Sequence, residues 1–373
     1  MSRPLLGGCF AAVLLAVCGC AVPAATNPGD YGGSTSAGGT TVRSDGLSLL
    51  TEPGPGDTPF IALIDSARRS IQITMYELTD ERIEQALAAA AANGVRVEVL
   101  LDDGQYGAGR PLNDAAYRYL ATHGVSVAWA PSYFALTHQK SLLIDRRVAA
   151  IMTLNLTPLY YASSRDFAVL DYRPADIAQV AQTFTADLHH RQITPGAGSG
   201  DLVWSPGAQA PLGALIVHAR RSLQIESEEM DDPTMTDELC QAARRGVHVQ
   251  VLMTYQSAWR SALTYLTGCG AQVRTYPESA EGDAGGASSA GNDSAGGDAN
   301  GAGAESAASA GLYIHAKLIR VDGRAVFIGS QNLSRQSLTY NREMGIITHS
   351  PPILASTGDT FSADFAGAQP YEP

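Results

Sequence analysis

Ile314-His315-Ala316-Lys317-Leu318-Ile319-Arg320-Val321-Asp322 runs on to Gly329-Ser330-Gln331-Asn332 and then to Asn341-Arg342-Glu343. Nearly the same series stands earlier: Thr137-His138-Gln139-Lys140-Ser141-Leu142-Leu143-Ile144-Asp145, then Thr153-Leu154-Asn155, then Arg165-Asp166. Counted from each His, both copies carry Lys at +2, Asp at +7, a hydroxyl at +15, Asn at +17 and a carboxylate at +28. A lone His-x-Lys pair is a common surface accident. A register kept at six positions twice in one chain is not, and the rest of the sequence reads as scaffold that brings the two copies together.

The repetition covers the whole body. Ala62 to Ile73 parallels Ala214 to Ile225, and Gly94 to Leu100 parallels Gly246 to Leu252, both at an offset of 152. Gly124-Val125 and Gly270-Ala271 correspond at a slightly shorter offset. A two-copy repeat of this period is a domain duplication rather than a solenoid. Within the first copy, helical spacing predicts helices over Phe60–Ala67, Glu81–Ala92 (capped by Asp80) and Ala115–Thr122. Alternation and apolar runs predict strands over Ser70–Tyr76, Val95–Leu101 and Val125–Trp129. Strands alternating with helices imply an α/β class with covered sheets. Two such halves, 46–196 and 197–373, are expected to pack around a pseudo-two-fold axis. Residues from about 279 to 311 break the symmetry: they are almost all Ala, Gly, Ser, Asp and Asn, cannot build a core, and read as a disordered insertion.

The N-terminal region is read as targeting, not fold. Arg3 and the apolar run Phe10 to Val17 make residues 1–20 a signal peptide. Val17-Cys18-Gly19-Cys20 is similar to a lipobox, although Cys18 stands where Ala, Ser or Thr is usual. Two readings stay open: lipid on Cys20, which we favour, and plain secretion with cleavage near Val22-Pro23-Ala24. Both make the protein exported. Residues 21–45, rich in Gly, Ser and Thr, form a tether; some 25 such residues reach about 28 Å. Lipid on Cys20 would then hold the body at a membrane surface. Of the five cysteines, Cys240 and Cys269 remain for the folded body, and in an oxidising compartment they are expected to pair rather than stay as buried thiols.

The repeated residue types carry a chemistry. On a strand, residues two apart share a face, so each His-x-Lys pair can address one ligand. Two Lys ammoniums and two Asn amides donate to clustered oxygens, and their positive charge selects phosphate. Two His can divide labour as nucleophile and acid, with Asp166 and Glu343 fixing the ring tautomers. Thr153 and Ser330 bring two hydroxyls to the same pocket. Such a set describes phosphodiester cleavage through a phosphohistidine, with no metal or other cofactor called for. Glu226, Glu228, Glu229, Asp231 and Asp232 could be taken for a metal site; we read them as a solvated strand end and helix start. His189-His190 is expected at the surface, and His123, His218 and His248 have no counterpart in the other copy.

His-x-Lys-x4-Asp followed by Gly-Ser-x-Asn resembles the signature of the phospholipase D superfamily, present here twice as in its two-motif members. The resemblance covers about Leu47 to Thr348. It implies the paired α/β fold, with His138 as nucleophile, His315 as acid, and Asp145 and Asp322 as structural residues set back from the phosphate. The second copy matches fully. In the first, Met152-Thr153 replaces Gly-Ser and Asp166 replaces Glu. The expected activity is hydrolysis of phospholipid head groups, with transfer to an alcohol as a variant of the second step. A nuclease or other phosphodiesterase of the same superfamily is the alternative, and a non-catalytic phosphate-binding lipoprotein the third. A net charge of -12 and a pI near 5.1 argue against a broad nucleic-acid surface. Two motifs in one chain make a monomer sufficient.

Overall fold

In the computed structural model, residues 42–103, 112–196, 200–277 and 311–373 are described. The signal peptide, Cys20, nearly all of the tether and the insertion up to residue 310 lie outside them. The first half runs β1 (Val42–Ser44), β2 (Leu47–Glu52), α1 (Thr58–Ser66), β3 (Ser70–Met75), α2 (Glu81–Ala92), β4 (Arg96–Leu101) and α3 (Asp114–Thr122). It continues through β5 (Ser126–Trp129), β6 (Ser141–Ile144), β7 (Val148–Met152), α4 (Pro158–Tyr161), β8 (Ser164–Asp171) and α5 (Pro174–Leu188). The second half runs β9 (Leu202–Ser205), α6 (Gln209–Val217), β10 (Ser222–Glu226), α7 (Pro233–Arg244), β11 (His248–Thr254), α8 (Arg260–Gly268) and β12 (Gln272–Tyr276). It ends with β13 (Tyr313–Ile314), β14 (Leu318–Val321), β15 (Ala325–Gly329), α9 (Arg335–Thr339), β16 (Glu343–Thr348), α10 (Pro351–Gly367) and β17 (Gln369–Pro370). The helices and strands expected from periodicity form within a residue or two of their sequence positions.

The duplication is explicit in the topology. One sheet orders β2-β8-β7-β6-β3-β4-β5 and the other β9-β16-β15-β14-β10-β11-β12, strand for strand. In each, three parallel strands (β3, β4, β5; β10, β11, β12) join an antiparallel group through β6 or β14. The central strands β6, β7, β14 and β15 are buried along their length, whereas β4, β10, β11 and β12 alternate, leaving Glu98, Gln224, Gln250 and Gln272 on a partly exposed face. Leu142 and Ile144 turn into the core under α1 to α3, while Leu143 turns the other way. There it meets Ile151 and Phe167 of its own half and Leu318, Val326, Ile328 and Met344 of the other. The two sheets thus share a central core, with α5 and α10 packed at its margins.

Asp145 and Asp322 open the three-residue hairpin turns after β6 and β14, each with positive φ. The carboxylate of Asp145 accepts from the backbone N–H of Arg68, Arg69 and Ser70, and Asp322 from those of Arg220, Arg221 and Ser222. These bonds pin the start of β3 and of β10. The motif carboxylates therefore splice hairpin to strand at the sheet end remote from the His residues. Cys240 of α7 and Cys269, at the end of α8, are joined by a disulfide.

The spacing predicts strand conformation through both His-x-Lys segments, and strands carrying Asn155 and Asn332. The structure corrects this: His138–Lys140 and His315–Lys317 are extended segments just before β6 and β14, and the Asn residues follow the ends of β7 and β15. The reason is visible in the bonding. Lys140 Nζ donates to the carbonyl of His138 at 2.7 Å and Lys317 Nζ to that of His315 at 2.5 Å, so these carbonyls are spent on side chains rather than on a ladder.

What these segments join instead is the other half. Tyr313-Ile314 pairs in parallel with Ser164-Arg165 of β8, and Thr137 forms the reciprocal bridge with Arg342, next to β16. Two ion pairs lock the exchange. Arg165 reaches Asp364 of α10 at 2.5 and 3.0 Å, and Arg342 reaches Asp187 of α5 at 2.9 and 3.0 Å. Each arginine precedes one of the motif carboxylates, Asp166 and Glu343. Arg342 and Asp187 are both 1 % exposed. Burial pushes the Asp187 carboxyl up to about 6 even though Arg342 opposes it. The pair therefore specifies one arrangement of the halves more than it adds net stability. Arg342→Ala leaves Asp187 buried and uncompensated and should cost about 3–5 kcal/mol in chemical denaturation. Replacing both partners by Leu should recover most of that loss; a double variant as unstable as the single one would contradict the assignment.

Candidate active site

The cross-pairing carries each His to a carboxylate of the opposite half. His138 Nδ1 lies 3.0 Å from Glu343 Oε2, and His315 Nδ1 lies 2.8 Å from Asp166 Oδ1. Glu343 is fully buried, and its other oxygen accepts from Ser337 Oγ at 2.6 Å and Asn341 Nδ2 at 3.0 Å. A carboxylate fixed in this way holds the proton on Nδ1 and leaves Nε2 for chemistry. Burial first, then the adjacent Lys140, lowers the His138 pKa to about 4, so its ring is neutral at neutral pH. His138 Nε2 is then an acceptor, as a nucleophile requires.

Lys140 and Lys317 are each only 1 % exposed, so neither is a solvated surface cation. Lys140 Nζ sits 4.9 Å from the centre of the Tyr76 ring, which also meets the His138 ring edge-on at 4.7 Å. Burial, and then Lys317, lower the Lys140 pKa to about 7. Lys317 Nζ instead makes an ion pair with Glu228 Oε2 at 2.8 Å. The Asn amides take up matching posts: Asn155 Nδ2 is 3.3 Å from Glu77 Oε2 and Asn332 Nδ2 is 3.4 Å from Glu228 Oε2.

The structure thus brings His138, Lys140, Asn155, His315, Lys317 and Asn332 to one place, at the carboxyl ends of β3 and β10, where ligands of open α/β sheets bind. It does not bring the hydroxyls there. Thr153 Oγ1 donates to Asp166 and accepts from Phe167 N; Ser330 Oγ accepts from Met344 N at 3.2 Å. Both are fully buried braces of the strands that carry Asp166 and Glu343, because the residue after each strand end must satisfy the free backbone beside it.

The acidic cluster of the second half also departs from expectation. Asp231 is exposed and Asp232 caps α7 through Met235 N. Glu226 and Glu228, however, are buried rather than solvated, because β10 ends inside the interface between the halves. Glu228 faces the cleft: it accepts from Tyr313 Oη at 2.8 Å and lies 3.6 Å from His315 Nε2. Burial raises its carboxyl, but Lys317 and His315 outweigh that and hold it well below the usual range. Glu77 is shifted the other way, upward, chiefly by burial. Glu77, Glu228, Tyr76, Tyr160 and Tyr313 line the cleft with the two His and Asn155, and spacing arithmetic passed over all five. For Tyr76, Glu77 and Glu228 the available signal was position, just past the carboxyl end of β3 or β10; Tyr160 in α4 and Tyr313 at the start of β13 carried no such mark. Among the described residues, no group of three or more His, Cys, Asp or Glu converges to hold a metal ion.

The family model described as "Cardiolipin synthase, PLD-like domain" matches residues 60–188 and again 212–365, most of both halves. A cardiolipin synthase of Halalkalibacterium halodurans is 30% identical over 166 residues, 40% of this chain and 31% of that protein. One of Oceanobacillus iheyensis is 22% identical over 374 aligned residues, 87% of this chain and 69% of that protein. The chain thus matches about a third of the length of the first relative and about two thirds of the second. Among solved structures, the phosphatidylserine synthase of Haemophilus influenzae Rd KW20 superimposes with a TM-score of 0.61 at 12% identity, covering 90% of this chain and 89% of that one. At that identity the likeness is one of fold.

The protonation state of His138 can be checked without any substrate. Between pH 5 and 8 its ring nitrogen shifts should stay those of a neutral imidazole with the proton on Nδ1. Because the folded pKa lies below the unfolded value near 6.5, stability from this group is present above that value and declines as the pH falls through 6.5 toward 4. A titration midpoint above about 6 in nitrogen-15 spectra would contradict the assignment.

Proposed function

The chain belongs to the phospholipase D superfamily, and on that premise we propose that it cleaves phospholipid phosphodiesters through a covalent intermediate on His138. The observation that carries the proposal is the crossed pairing of His138 with Glu343 and His315 with Asp166, which holds Nδ1 of both rings and leaves both rings lining one cleft. In the first step His138 Nε2 attacks phosphorus. The bond to the leaving oxygen breaks, and His315 gives its Nε2 proton to that oxygen. In the second step His315 takes a proton from water or an alcohol, whose oxygen attacks phosphorus and breaks the P–N bond. Lys140, Lys317 and the Asn amides stabilise charge on the other phosphate oxygens.

Water as acceptor gives hydrolysis, and an alcohol gives transphosphatidylation. Similarity to two cardiolipin synthases supports a phospholipid substrate and keeps the transfer route in the proposal. Both halves of one chain contribute to the cleft, which supports activity as a monomer. Export, and attachment to a membrane through lipid on Cys20, belong to the same proposal and rest on the residues before the folded body.

The test is product analysis with EDTA present, on vesicles of phosphatidylcholine and of phosphatidylglycerol and on a single-stranded oligonucleotide. Wild type should release phosphatidic acid or a transfer product. His138→Ala and His315→Ala should each lose at least about a hundredfold, the scale of acid–base catalysis. The rate should also fall above pH 7 as Lys140 gives up its proton. Cleavage of the oligonucleotide with untouched lipid would replace this reading by the nuclease one.

A further inference from the structure

We propose that Glu228 is a built-in competitor for the phosphate subsite of the second half, and that it selects singly charged phosphodiesters over doubly charged phosphomonoesters. The inference rests on the phosphodiesterase reading above and deepens it. The Glu228 carboxylate already holds the partners that this chemistry reserves for phosphate oxygens: Lys317 Nζ at 2.8 Å, Asn332 Nδ2 at 3.4 Å and His315 Nε2 at 3.6 Å. Tyr313 Oη supports it at 2.8 Å.

The duplication supplies an internal control. The offset of 152 holds from Ser70 and Ser222, the first residues of β3 and β10, to the capping residues Asp80 and Asp232. It also relates Leu78 and Met230, which form equivalent bridges to Leu156 and Leu333, each the residue after a motif Asn. Tyr76 therefore occupies in the first half the place of Glu228 in the second. There the lysine faces an aromatic ring instead of a carboxylate. The first half has a cleft carboxylate too, Glu77 one residue later, which takes Asn155 Nδ2 at 3.3 Å; among the described residues the direct lysine–carboxylate ion pair belongs to the second half alone.

The small size of the cleft sharpens the competition. The cleft holds about 20 Å³, room for about one water. A phosphate group must displace something to enter, and Glu228 is the group that matches its charge and its partners. Once displaced, the carboxylate stays tethered a few ångströms away. At the effective dielectric of such sites, each further negative charge on the ligand then costs on the order of ten- to a hundredfold in affinity. A diester carries one charge, whereas a monoester carries nearly two above pH 6 or so. Hydrolysis makes a monoester from a diester, so the same residue that admits substrate expels product.

Calorimetric titration at pH 8 with dimethyl phosphate and with methyl phosphate tests this directly. Wild type should bind the dimethyl ester more tightly. Glu228→Gln, checked for an unchanged thermal transition, should bind methyl phosphate at least tenfold tighter than wild type and reverse the preference. Wild type favouring methyl phosphate, or Glu228→Gln binding it no better, would overturn the proposal. Should Glu228→Gln not fold, Glu228→Asp, which withdraws the charge by one methylene, must shift methyl phosphate in the same direction, and no shift overturns the proposal. None of these titrations needs lipid turnover. Tighter methyl phosphate without lipid cleavage would sink only the lipid reading, and lipid cleavage with unchanged methyl phosphate affinity would sink only the role of Glu228.

Discussion

Two arginine–aspartate pairs at the interface, half-buried Arg165 with Asp364 and fully buried Arg342 with Asp187, set the relation between the two halves on which the site depends. Each arginine lies next to a motif carboxylate and reaches a helix of the opposite half. Guanidinium forks fit carboxylates in one geometry, and a buried charge without its partner is costly. The halves therefore have one way of meeting that leaves no charge stranded. That arrangement also seats Tyr313-Ile314 beside β8 and Thr137 beside Arg342.

The chemistry inherits this crossing. A His placed by one half takes its proton-orienting carboxylate from the other, so neither half alone supplies the Nδ1 partner of its own His. The arrangement is symmetric in these pairs and asymmetric around them. Lys140 is buried against Tyr76, and its proton is held weakly; Lys317 is matched by Glu228. Duplicated frameworks permit this division, because one residue can change in one copy while the strand that carries it stays as it was. In the division proposed here, the side of His138 keeps the neutral ring needed for attack, and the side of His315 carries the carboxylate paired with its lysine.

Burial explains why groups that read as surface features of the sequence became part of the site. Glu226 closes β10 and Glu228 lies two residues beyond it, so both resemble the polar fringe where a chain leaves a sheet. The fringe is interior here because the second sheet packs against the first at that end. The same packing turned Thr153 and Ser330 away from the cleft: their hydroxyls satisfy backbone groups of the neighbouring strands, which no water reaches.

The sequence by itself determined the duplication, the α/β alternation, and the identity of the His, Lys, Asn and carboxylate positions. Periodicity and fixed spacing are local properties, and they survive without any knowledge of how the halves meet. Asp145 and Asp322 were readable as set back from the ligand for the same reason, since each acts within its own half. Only the tertiary structure decided that Glu343 serves His138 and Asp166 serves His315, and that Glu77, Glu228, Tyr76, Tyr160 and Tyr313 wall the cleft. Those facts depend on contacts between residues as much as 205 positions apart, made across an interface whose geometry follows from buried charge and shape and leaves no periodic mark on the chain.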